Sequence, residues 1–229
     1  TFRGLKNILS KEGVLIFENI YIIDLIKNLS FDQLYDEHVY TLSVTAVNNI
    51  AKKHKLNLYD VKHTSIQGGS MRYYLSADRS RTKSSKVTKY LNQEIQSKYF
   101  TKKHSYAFFN RCKKIRDELI KITNKIKKDN KKIVGYGASA KATFLVNFCN
   151  INASHLDFIF DSSAQKIEKF LPGTNIKIVD ENQFEKYSFD FVILFAWNHA
   201  SEIMLKNKKV MKKNKSKWII PFPEIKMIK

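Results

Sequence analysis

The stretch FDQLYDEHVY, residues 31–40, gathers three carboxylates (Asp32, Asp36, Glu37), two tyrosines (Tyr35, Tyr40) and a histidine (His38) into ten positions. Such a set can move protons. Unperturbed imidazole titrates at about 6.5, so His38 can act as a base at neutral pH, and a phenol can donate to developing negative charge. On a helical turn Tyr35 and His38, three apart, face one side. The composition also suits a polar turn, with His38 a loop histidine and the acids, Asp32 among them, capping a helix. Spacing alone leaves both readings open.

A second group lies in VGYGASAK, where Gly135 and Gly137 sit at a strand-to-helix junction and Lys141 lies one turn into the helix. Glycines permit a tight turn there, and a helix amino terminus offers free N–H groups to an anion. The pattern GxGxxxK is neither the dinucleotide nor the Walker fingerprint, and a turn that simply needs glycine explains it equally well. Asp161 closes the next strand and Trp197 and Asn198 close a later one, so a crevice at the strands' carboxyl ends would gather Tyr136, Gly137, Lys141, Asp161, Trp197 and Asn198. A nucleoside diphosphate fits that chemistry. In QGGSMR, Gly68 and Gly69 allow close backbone approach while Ser70 and Arg72 offer polar contacts; a bulge or hairpin turn is the alternative.

The other histidines (His54, His63, His104, His155, His199) show no HxH or HxxxH pairing, which argues against metal ligation and reads them as surface or packing residues. Cys112 and Cys149 lack CxxC spacing and are too few for a disulfide framework, which points to a reducing, cytoplasmic setting. Forty-one basic against 21 acidic residues give a formal charge of +20. Only six of the basic residues are arginine, the better fork for phosphates and bases, and no zinc finger, RNP motif or basic helix-turn-helix occurs. The lysines therefore read as solvated helix faces, and nucleic acid as an improbable partner. No apolar run approaches the roughly 20 residues of a membrane span. The chain starts at Thr1 without a signal-like segment, which suggests a piece of a longer protein.

The elements that must position these residues follow from periodicity. GVLIFEN, LNLYDVKHT and SMRYYLS read as strands around a helix SVTAVNNIAKKHK, ADRSRTKSSK as a loop, and NRCKKIRDELIKITNKIKK as a connector helix with a stripe of Cys112, Ile115, Leu119, Ile122 and Ile126. From residue 131 the rhythm changes. KKIVGYG, LDFIFD, NIKIVD, FDFVILFAW and KWIIPFP are apolar strands alternating with helices ASAKATFLVNFCN and ASEIMLKNKKVMKK, the pattern of a parallel, doubly covered sheet. The expected fold is α/β: a Rossmann-like parallel unit over residues 131–229, preceded by a helical connector (81–130) and a smaller α/β part (1–80).

Four ordered stretches resemble the S-adenosylmethionine-dependent C-methyltransferases of nucleotide-linked keto-sugars. FDQLYDEHVYTLS is similar to FDxxYHEHxxYFS, QGGSMRYYL to HGGSxRVY, and VGYGASAKATFLVNF to GYGAPAKGxTLLNY, while LFAWNHASEI with PFPEI is similar to LLAWNYxxEI with PxPxV. The resemblance implies that residues 1–80 are the carboxy-terminal part of a class I methyltransferase domain. It further implies that the family's zinc module and the first half of its cofactor domain lie outside this sequence, so that S-adenosylmethionine would bind mostly elsewhere, on an upstream segment or chain. It assigns catalysis to Tyr35, Glu37 and His38, with His38 as base, Glu37 supporting it and Tyr35 donating to the ketone or enolate oxygen. Substrate contacts fall to Gly68, Ser70, Arg72, Tyr136, Gly137, Lys141, Asp161, Trp197 and Asn198. Asp36, Gln67 and Ser139 replace the family's His, His and Pro, the first two bearing on substrate preference. A different reading is a non-catalytic Rossmann-like module that binds a nucleotide or dinucleotide.

Overall fold

The computed structural model describes residues 1–229, which divide into two compact units: residues 1–28 with 40–108, and residues 29–39 with 109–229. No helix is long and apolar enough to cross a membrane.

In the first unit, β-rich runs form strands β1 (Val14–Ile20), β2 (Asn57–Thr64) and β3 (Ser70–Ser76), in the order β1-β3-β2 with β3 antiparallel to both neighbours. The central strand alternates as a buried strand should: Met71, Tyr73 and Leu75 are fully enclosed. Four helices accompany the sheet: α1 (Phe2–Ile8), α2 (Ile22–Lys27), α3 (Val44–Lys53) and α4 (Ser85–Ser97). α3 starts at Ser43, whose hydroxyl accepts from Ala46 N–H at 3.0 Å, and buries Val44, Val47 and Ala51 in the same core as Leu58 and Val61. Glu94 of α4 is buried, and its carboxylate accepts from Val44 N–H (2.7 Å), Thr45 N–H (2.8 Å) and the Tyr21 hydroxyl (2.9 Å). A negative side chain thus satisfies orphan donors at the positive end of α3.

The turn between β2 and β3 depends on glycine. Gly69 has φ +136°, and a Cβ there would overlap the Asp24 carboxylate. Gly69→Ala is therefore expected to destabilise the protein by more than about 1 kcal/mol, read as a lower urea midpoint at unchanged slope. An unchanged midpoint would show that the turn tolerates a side chain.

In the second unit, four-residue strands β4 (Ile133–Tyr136), β5 (Phe158–Asp161), β6 (Lys177–Asp180), β7 (Phe191–Leu194) and β8 (Lys217–Ile220) and a three-residue β9 (Lys226–Ile228) make one sheet in the order β6-β5-β4-β7-β8-β9. All pairings are parallel except that of β9. This is the expected Rossmann-like α/β arrangement. The chain moves outward from β4 through β5 to β6, then crosses to β7 and β8, so the order reverses between β4 and β7. The helices are α5 (Lys102–Lys128), which starts in the first unit, α6 (Ala140–Phe148), α7 (Ala200–Lys206) and α8 (Lys208–Asn214). Three local expectations change. β9 is too short and too far from any period-two run to show in the sequence; the single helix expected over residues 200–213 is broken at Asn207, which bonds Ile203 O through its side chain; and β7 stops at Leu194, leaving Trp197–His199 in a 3-10 turn.

Candidate functional site

The crevice at the reversal is built by the glycines. Gly137 has φ +92° and lies against Ala196, where a Cβ would meet the Ala196 methyl at 3.0 Å, while Gly135 packs so tightly that a Cβ would lie 2.8 Å from the Phe195 ring. Both glycines serve the turn and the close packing of β4 against its neighbours. Ser139 caps α6, accepting from Ala142 N–H at 3.4 Å.

Lys141, on the first turn of α6, is buried. Its ammonium donates to Asn198 Oδ1 at 3.3 Å and lies 5.0 Å over the Trp197 ring. Burial lowers its pKa and Asp32 opposes that shift. The structure thus joins Lys141, Trp197 and Asn198, as the sequence suggested, with Lys141 buried and Trp197 and Asn198 half-buried. Asp161 ends β5, accepting from Ser163 N–H at 2.8 Å and lying 3.5 Å from the Lys166 ammonium. Tyr136 is placed differently: its ring sits in the apolar core against Phe184 and Trp218, its hydroxyl donates to Glu181 at 2.8 Å, and burial raises its pKa to about 12.

Residues 29–39 group with this unit. Phe31 is buried against Phe144 and Phe148 of α6 and against Phe222, and the Trp197 indole N–H donates to Asp32 Oδ2 at 2.6 Å. Asp32 is buried, and its other oxygen has no partner. Burial raises its pKa to about 7, against opposing pulls from Trp197 and Lys141. The acid that the polar-turn reading offered as a helix cap is instead buried.

Two short 3-10 turns, Phe31–Gln33 and Asp36–His38, carry the chain past this anchor, and the rings of Tyr35 and His38 meet edge to face with centroids 4.7 Å apart. His38 is half-buried, which lowers its pKa; Glu37 raises it through charge and Lys141 lowers it. The Tyr35 pKa is raised by burial and by the charges of Glu37, Asp32 and Asp36. At neutral pH His38 is thus a free base and Tyr35 a hydrogen-bond donor. Leu34, Tyr35 and Asp36 line one side of a cavity of about 910 Å³, whose other walls include Ser139, Phe144, Phe148, Phe170, Lys166 and Lys169. Nothing in the spacing of these wall residues announced them, because they come from two segments well apart in the chain.

The QGGSMR residues belong to the first unit. Gly68 O accepts from Asn28, Ser70 Oγ donates to Ile66 O, and Arg72 forms a 2.9 Å ion pair with Glu18, its cross-strand neighbour. These groups serve the hairpin. The first unit's own cavity, about 560 Å³, holds a pair that sequence reading passed over: His63 Nε2 lies 2.5 Å from Asp24 Oδ2, with Tyr21, Tyr90 and Tyr99 around it.

The bond from Trp197 to Asp32 joins positions 165 residues apart. Asp32 with Trp197, and Tyr35 with Ser139 and Phe144, bring three of the resembling stretches together in one unit. Comparison with known proteins agrees. The C-methyltransferase C-terminal domain matches residues 65–223. The C-methyltransferase NovU of Streptomyces niveus is 27% identical over 226 residues, which are 98% of this chain and 54% of NovU, so the chain spans about half the length of that relative. With the domain match covering more than half of its residues, the chain belongs to the family of the C-methyltransferase C-terminal domain.

Proposed function

We propose that this chain is the carboxy-terminal portion of an S-adenosylmethionine-dependent C-methyltransferase acting on a nucleotide-linked keto-sugar. The observation that carries the reading is the 910 Å³ cavity: the Tyr35 turn faces an aromatic wall and two lysines. Aromatic faces suit a nucleobase, and ammonium groups suit a diphosphate.

The reaction starts at carbon beside the sugar ketone. His38 removes the α-proton, the C–H electron pair moves to the ketone oxygen, and Tyr35 donates a hydrogen bond to the enolate so formed. Glu37 favours the imidazolium through its charge. When bound, S-adenosylmethionine supplies the methyl electrophile for the enolate carbon. Gly69 offers it no cradle, being closed by Asp24, and its site is assigned mostly to protein outside these residues. The chain by itself therefore binds substrate and methylates poorly or not at all.

Calorimetry with a pyrimidine-diphosphate sugar tests the binding half: saturable heat is expected, and none at millimolar ligand would sink the proposal.

A further inference from the structure

Asp32 is a buried acid with one strong partner and one empty oxygen, three residues before Tyr35 and six before His38. From the geometry we infer that Asp32 is a positioning residue: its ionised carboxylate, held by the Trp197 indole and facing Lys141, fixes the turn that carries Tyr35 and His38. The inference rests on the proposed role of His38.

The segment is held by the buried Phe31 ring and by one polar tie. Residues 31–38 form two single 3-10 turns with no sheet ladder, and their polar anchor to another element of the unit is the 2.6 Å bond from Trp197. A hydrogen bond to an ionised acceptor is about twice as strong as a neutral one. Protonation of Asp32 therefore loosens the latch, and ionisation tightens it. The groups that face these residues are few. Lys141 of α6 acts on Asp32 and on His38, Tyr35 and the uncharged Trp197 face Asp32, and Glu37 acts on His38. Phe31 packs against the phenylalanine rings of α6 and Phe222, which carry no charge. Asp32 and His38 lie on successive turns of one segment, so a shared inflection of the Trp197 and His38 signals couples Asp32 to that turn.

The test is a pH titration of the ligand-free chain by NMR, following the Trp197 indole N–H and the His38 ring C–H, assigned with Trp197→Phe and His38→Gln. The expected result is a common inflection of both signals near Asp32's titration, about pH 7, in addition to the separate lower inflection of His38 itself. Asp32→Asn, which keeps an acceptor for the indole, should fold cooperatively, abolish the common inflection and leave His38's own. Asp32→Ala should lose the indole bond as well, shifting the Trp197 signal toward that of a free indole. A common inflection that survives Asp32→Asn, or a His38 signal that never shares Trp197's inflection, would overturn the inference. Failure of the proposed chemistry would appear elsewhere, as absent substrate binding or proton exchange, with this titration intact.

Discussion

In D₂O, the chain given a pyrimidine-diphosphate keto-sugar is expected to exchange the sugar's α-proton for deuterium, and His38→Gln to slow that exchange by about 10²–10⁴-fold, the usual contribution of a positioned base. Exchange needs a base and a stabilised enolate, and both groups lie on one turn whose rings are in contact. It needs no methyl donor. Proton NMR of the sugar follows the signal directly. Glutamine preserves size and polarity at a half-buried position, so nucleotide affinity should hold while the rate falls. Tyr35→Phe should also slow exchange, because the phenol is lost where charge develops. Undiminished exchange in His38→Gln would remove His38 from the mechanism and turn attention to His63, the imidazole that already has a carboxylate partner.

The pH dependence of stability offers an independent reading of the site. Folded, Asp32 keeps its proton up to about pH 7; unfolded, it releases it near the ordinary carboxylate value of 3.8. Between these values the folded state binds more protons than the unfolded one, so the group's contribution to stability falls as pH rises through the window and levels off above it. Asp32→Asn should flatten that decline, seen as urea midpoints at about pH 5 and about pH 8 that lie closer together than in the parent protein. An undiminished decline would mean that Asp32 is ionised in the folded protein throughout.

Much of the second unit was legible because its signals are local. Apolar four-residue strands alternating with helices can only be a parallel sheet covered on both faces, and glycine at Gly137 marks a turn that a side chain would obstruct. What periodicity does not carry is partnership across the chain. Tyr136 ends a strand at the crevice, yet strand alternation turns its ring into the core toward Trp218. Asp32 reads as a cap because Asp commonly caps, and only the folded chain brings Trp197 to it. Gly68, Ser70 and Arg72 lie in a resembling motif, but the needs of a hairpin and a cross-strand ion pair account for the contacts they make here. The wall of the cavity, from Phe144 to Phe170, has no motif at all: apolar residues on a helix face and in a loop look alike whether they meet solvent, core or ligand.

The same long-range logic makes Phe31 the residue whose truncation should cost most. Its ring is 2% exposed, with centroids 5.1 Å from Phe148, 5.1 Å from Phe222 and 6.3 Å from Phe144. Phe31→Ala removes a buried aromatic from a three-sided cluster, a change that typically costs about 3–5 kcal/mol when the walls cannot collapse. α6 is held to the sheet and Phe222 follows β8, so the walls here are constrained. Urea denaturation should show a much lower midpoint, whereas Phe31→Leu, which refills most of the volume, should recover the greater part. Losing the ring also frees the segment on which Tyr35 and His38 ride, and so proton exchange should fall further than the unfolded fraction accounts for. A cost below about 1 kcal/mol would place Phe31 in a site that collapses readily, and would leave the Asp32–Trp197 bond as the main tie between this turn and its unit.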